Sequence, residues 1–138
     1  MITAVDTNVL IDLLENDAEH GRAAAVALNQ AAAVGAIVVS SVVFTELATG
    51  TAMTTAGLLQ FFGESGIEFV PLSQASCLAA AAQWRAYRAA GGTRMRIASD
   101  FLIGGHALCQ ADRLLTRDTG FFRSYFETLN VIAPGATL

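Results

Sequence analysis

The stretch ITAVDTNVLIDLL, residues 2–14, decides the fold class. Its first four residues are a short apolar run with the length and β-branched character of a strand. Asp6, Thr7 and Asn8 follow with side chains suited to a helix start, and Val9, Leu10, Leu13 and Leu14 then recur at helical spacing. A strand therefore passes directly into a helix. The alternation continues outward from this unit. Residues 22–33 predict a helix, 36–40 a second strand, 43–48 and 54–62 two helices, 67–72 a third strand and 73–90 a long helix. Ser99 is positioned to cap a helix over 100–111, and residues 113–116 and 129–133 read as the last two strands. Near-continuous apolar strands separated by helices form a parallel sheet covered on both faces. The expected class is α/β, a three-layer α/β/α domain with a mainly parallel sheet of about five strands.

Composition agrees with a packed domain. The chain has 138 residues, 54% hydrophobic and only 14% charged, against about 25% charged in an ordinary soluble protein. That excludes a disordered protein. At this length one domain buries roughly two thirds of its unfolded surface, so residues 1–138 are expected to form a single domain that needs no disulfide or structural zinc. Cys77 and Cys109 lack paired spacing and are expected to be ordinary buried thiols. No apolar run approaches the roughly 18 residues of a membrane span. Residues 1–5 lack a basic leader and run straight into Asp6, so they read as a core strand, and the expected location is the cytoplasm.

Open parallel sheets place their ligand sites beyond the carboxyl ends of the strands, where strand order reverses. Four acids fall at that edge. Asp6 directly follows the first strand, Glu46 lies one to two helical turns past the second, Asp100 opens a helix, and Asp118 is two residues beyond the strand ending near Thr116. Asp6, Asp100 and Asp118 also occupy helix starts, where a carboxylate caps free N–H groups. Glu46 instead sits among Val42, Val43, Phe44, Leu47 and Ala48. The remaining acids, Asp12 among them, are expected to cover a solvated face. Four carboxylates in one site raise one another's pKa values and destabilise the fold unless a cation is present. Mg²⁺ is held directly by only one or two carboxylates, keeps several waters and suits phosphate chemistry. The expected reaction is metal-assisted phosphodiester hydrolysis.

These segments resemble the PIN-domain family, and within it the VapC-type ribonuclease toxins of bacterial and archaeal toxin–antitoxin pairs. VDTNVLIDLL, carrying Asp6, resembles the family's first motif, and SSVVFTELATG, carrying Glu46, resembles the second. SDFLIGGHAL resembles the third, with Asp100, and LLTRDTGFF the last, with Asp118. The resemblance covers essentially the whole chain. It implies a PIN-like domain on a five-stranded parallel sheet, usually a homodimer, acting as a Mg²⁺- or Mn²⁺-dependent endoribonuclease and neutralised by a small VapB-like antitoxin. Asp6 and Asp100 would be direct metal ligands, with Glu46 and Asp118 completing the cluster or orienting water. Thr7, Asn8 and Thr116 would supply supporting hydrogen bonds. The alternative is a catalytically weak PIN domain that serves an antitoxin as a binding or co-repressor partner. One departure is Gly104-Gly105, where the family more often has alanines. Gly104 shares a helical face with Asp100, so it either leaves room for an RNA backbone or permits close helix packing.

Other acid-edged folds are excluded by residue type. A response-regulator receiver relies on a late lysine, and all eight cations here are arginine. A phosphatase of the haloacid-dehalogenase type wants Asp-x-Asp after the first strand, where this chain has Asn8. A ribonuclease-H-like fold opens with an antiparallel meander instead of a strand–helix unit.

A net charge of −4 supplies no general cationic footprint for nucleic acid, so RNA contacts would be local. Arg94 and Arg96 before Asp100, and Arg117 beside Asp118, are the candidate RNA-binding residues. Arg85 and Arg88 stand beside Trp84 and Tyr87, an arrangement able to clamp phosphate while a ring stacks on an unpaired base. His106 lies about 240° around a helix from Asp100 and reads as structural. His20 falls in a polar turn. Phe44, Leu47, Met53, Leu58, Leu59, Phe61 and Phe62 exceed what two short helices need in a core, so part of this surface is expected to form a dimer seam or an antitoxin groove.

Overall fold

The computed structural model describes residues 1–93 and 98–135. Five strands, β1 (Ile2–Val5), β2 (Ala36–Val39), β3 (Glu68–Phe69), β4 (Arg113–Leu115) and β5 (Val131–Ile132), form one sheet in the order β3-β2-β1-β4-β5, and every pairing is parallel. Between them run α1 (Thr7–Leu14), α2 (Gly21–Val34), α3 (Ser41–Gly50), α4 (Thr55–Ser65), α5 (Gln74–Ala89), α6 (Ala98–Gln110) and α7 (Thr119–Tyr125). The chain builds from β1 out to β3, returns across the sheet and enters β4 on the other side of β1. Because crossovers are right-handed, this reversal puts the helices before β3 and those after it on opposite faces. It also leaves a crevice between the carboxyl ends of β1 and β4.

Local chemistry sets most element limits. Ser40 Oγ, Thr54 Oγ1 and Ser73 Oγ each accept a backbone N–H three residues on, at 3.3, 3.0 and 3.1 Å, and so cap α3, α4 and α5. Gly66, in the left-handed conformation at φ 74°, ends α4. The third strand shrinks from the expected 67–72 to two residues. Val70 N–H still reaches the Val39 carbonyl at 2.9 Å, but Pro71 has no N–H to continue the ladder. The last strand contracts likewise to Val131–Ile132. Ser99 is the second residue of α6 and therefore not its cap. The short helix α7 begins directly after Asp118, the helix start the sequence placed there, although the extent of the helix was not expected.

The core lies on both faces of β1, β2 and β4, with Val9 and Leu10 of α1, Phe101 of α6 and Phe122 of α7 fully buried against it. The glycine pair serves packing. A Cβ on Gly104 would lie 2.3 Å from Phe126 Cε2, and one on Gly105 would lie 2.5 Å from the Ser76 carbonyl oxygen. The Phe126 ring, against Phe101 and Phe122, thus fills the space that could have admitted an RNA backbone, and Gly105 lets α6 approach the backbone of α5. His106 is buried and its Nε2 stands 2.9 Å from the Val70 carbonyl, which can only accept, so that nitrogen carries the proton. Burial lowers its pKa.

One expectation fails on burial. Cys77 and Cys109 are both exposed. Of the apolar residues proposed as surplus, Leu47 and Leu58 are buried, and Phe44, Phe61 and Phe62 pack on one another at ring separations of 5.2 and 5.4 Å. Leu59 of that set is exposed, and with half-buried Phe44 and Met53 it lines a small cavity beside α4.

Candidate active site

Asp6 closes β1 and opens α1. Its backbone N–H is held by the Leu115 carbonyl at 2.9 Å, which seats it beside the end of β4. Its Oδ1 accepts the Thr7 N–H at 2.7 Å, a partial helix cap, and its Oδ2 accepts the hydroxyl of Thr116 at 2.7 Å. Thr116 is fully buried, one residue past β4. Its oxygen also accepts the Asp118 N–H at 3.0 Å. One hydroxyl thus ties the Asp6 carboxylate to the backbone of Asp118. The Asn8 amide lies alongside, with Nδ2 3.4 Å from Asp6 Oδ2 and Oδ1 accepting the Arg117 N–H at 3.2 Å.

Glu46 reaches the same place from α3. Thr7 Oγ1 donates to Glu46 Oε1 at 2.6 Å, so Thr7, by its hydroxyl and its backbone N–H, holds both Glu46 and Asp6. Asp6 is only 5% exposed. Burial pushes its carboxyl up to about 6, against the lowering effect of the bonds from Thr116 and Thr7, and the charges of Glu46 and Asp118 push the same way. Asp118 is exposed at the start of α7 and makes no capping bond with its side chain. Asp100 is half-buried in the first turn of α6, a helix that lies over β1 and β4 and touches α3. A shallow cavity of about 280 Å³, lined by Ser41, Val42, Thr45, Glu46 and Thr49, opens beside Glu46.

Of the candidate RNA-binding arginines, Arg117 is already paired. Arg117 donates from Nε to Asp12 Oδ2 at 2.6 Å and from Nη2 to Asp12 Oδ1 at 3.2 Å. As a phosphate clamp it would have to abandon this bidentate pair. Asp12 is buried, not part of a solvated face. It stands one turn after Asn8, on the helical face that meets Arg117, a partner the sequence alone does not reveal. Arg94 and Arg96 lie outside the described residues. Arg88 stacks 5.9 Å over the Trp84 ring. Tyr87 packs on Phe101 and Tyr125. His20, half-buried at the start of α2, stands 3.6 Å from Glu19.

The donor set is all carboxylate and hydroxyl oxygen, the chemistry of a hard divalent cation. Among the described residues no three His, Cys, Asp or Glu side chains gather closely enough to hold an ion by themselves. A hard cation would be held here by Asp6 with its neighbouring acids and would retain several of its waters.

The sequence matches the family described as PIN domain over residues 3–127. The chain belongs to the PIN domain family. This PIN domain shares its fold with a chain of VapBC2 from Rickettsia felis, solved with a promoter DNA fragment, at TM-score 0.76 and 20% identity, covering 96% of this chain and 98% of that one. VapBC-1 from nontypeable Haemophilus influenzae matches at TM-score 0.74 and 18% identity over 99% and 100% of the two chains. A toxin–antitoxin complex from Klebsiella pneumoniae matches at 0.65 and 22% over 98% and 99%. No curated protein matches the PIN domain's sequence. No helix of its described residues is long and apolar enough to cross a membrane.

Proposed function

We propose that this PIN domain is a metal-dependent endoribonuclease toxin that works in the cytoplasm as a homodimer and is neutralised by a VapB-like antitoxin. The observation that carries the reading is Asp6, a buried carboxylate at the reversal of strand order. Its pKa is raised to about 6, and it lies in the fields of Glu46 and Asp118. Among the described residues the arginine next to Asp118 is committed to Asp12, so it does not neutralise these carboxylates. Asp6, Glu46, Asp100 and Asp118 would hold Mg²⁺ or Mn²⁺. A bound ion of this kind supplies a nucleophilic water at neutral pH and neutralises charge on the phosphate. Asp6 must be ionised to serve, and a cation beside it favours the ionised form. Thr116 fixes the orientation of Asp6 and its spacing from Asp118, while Thr7 fixes Glu46. The toxin role is supported by family membership and by the near full-length likeness to chains of VapBC and toxin–antitoxin complexes.

The test is cleavage of total cellular RNA by the purified, antitoxin-free protein with Mg²⁺ or Mn²⁺, beside EDTA and Asp6→Asn controls, with fragment ends sequenced. Discrete cuts that vanish in both controls are expected. No cleavage by folded protein with either metal would overturn the nuclease and favour a binding or co-repressor partner of the antitoxin.

A further inference from the structure

The Asp12–Arg117 pair lies beside the acid cluster and outside the chemistry assigned to it. Asn8 and Asp12 are one turn apart on α1 and both hold Arg117, Asn8 by the backbone N–H at 3.2 Å and Asp12 by the guanidinium at 2.6 and 3.2 Å. The Asp12 side chain is 7% exposed and that of Arg117 38%. Asp17 and Glu19, in the segment after α1, add their negative charge to the same guanidinium. The position of Arg117 gives this grip its importance. Its two chain neighbours are Thr116, bonded to Asp6, and Asp118. The long arm of an unpaired arginine at this point would find Asp6 and Asp118 as competing partners, and a fixed guanidinium there would oppose a divalent cation.

We propose that Asp12 is a positioning residue: by clamping Arg117 onto α1 it keeps the guanidinium out of the acid cluster, so that Asp6, Glu46 and Asp118 keep their negative charge for a divalent cation. The proposal rests on the nuclease reading. It assigns to a buried acid of α1 a part in metal affinity without contact with the metal.

The test is calorimetric titration of the full chain, free of RNA and antitoxin, with Mn²⁺ alone. Wild type is compared with Asp12→Asn and Asp12→Asn/Arg117→Gln, and Asp6→Asn serves as the blank. Asp12→Asn should bind about tenfold more weakly, and the double variant should return to within about twofold of wild type. The melting temperature of the double variant should stay near that of the single one, so rescue of binding is not rescue of folding. If the double variant binds as weakly as Asp12→Asn while wild type binds, the pair only braces the fold; the proposal is overturned and the nuclease reading stands. If wild type takes up no more Mn²⁺ than Asp6→Asn, the nuclease reading fails and the proposal with it. Should Asp12→Asn not fold, Asp12→Ser takes its place with Arg117→Gln as its rescue: tenfold weaker binding that the second change restores supports the proposal, and binding unchanged by Asp12→Ser overturns it.

Discussion

Replacing Asp6 by asparagine should stabilise the metal-free fold at neutral pH, by an amount that grows with pH. In the folded chain burial raises the carboxyl from 3.8 to about 6, so the folded state binds a proton that the unfolded chain has already released between those values. The stability linked to that proton is fully present below the unfolded value and is lost as pH rises through the folded one. A displacement from 3.8 to about 6, at 1.36 kcal/mol per unit, amounts to about 3 kcal/mol at neutral pH. Asparagine carries no charge to bury, but its single carbonyl oxygen cannot accept from both Thr7 and Thr116 as the carboxylate does. That loss, about 1 kcal/mol, is the same at every pH and drops out of a comparison between two pH values. Urea unfolding in EDTA at pH 4.5 and pH 7.5 reads the effect. The gap between variant and wild type should widen by about 2 kcal/mol from the lower pH to the higher. A gap constant to within about 0.5 kcal/mol would refute the desolvated carboxylate, and with it the argument that Asp6 calls for a cation. Added Mg²⁺ should then stabilise wild type at pH 7.5 and leave the variant unmoved.

Three further outcomes follow from named contacts. Gly104→Ala drives a methyl to 2.3 Å from a Phe126 ring already flanked by Phe101 and Phe122. It should cost about 1–3 kcal/mol in thermal unfolding, exceeding the roughly 1 kcal/mol gain in helix propensity, without changing Mn²⁺ uptake. Gly105→Ala should cost more, because its methyl meets the Ser76 backbone oxygen at 2.5 Å and backbone yields less than a ring; equal or higher melting temperatures would contradict both. Thr116→Val removes a 2.7 Å bond to ionised Asp6. Such bonds contribute about 1.5–3 kcal/mol, so the acid limb of the cleavage pH profile should move up by about one unit or more; a downward move would sink this role for Thr116.

Some of this architecture can be read from the chain because its signals are local. β1, α1, β2 and α5 follow from apolar periodicity and from Asp6 and Ser73 at helix starts, and they lie within a residue or two of expectation. The same alternation could not limit the third strand to Glu68–Phe69, since Ile67 and Val70 are as apolar as their neighbours and only the ladder to β2 marks the end. Asp6, Glu46 and Asp118 could be picked out by their distance past strand ends. Asp12 could not, because a single acid on an amphipathic helix looks solvated until its partner is known.

The sequence by itself determines the order of strands and helices and the acids that follow strands, because periodicity and capping act over three or four residues. Tertiary structure alone decides that β4 lies against β1, so that Thr116 meets Asp6 across 110 positions and Arg117 meets Asp12 across 105. It alone decides that Phe126 occupies the space over Gly104 and that both cysteines face outward. These contacts depend on which strand returns beside which, and that choice is made by burial of the whole sheet, which no short window of residues contains.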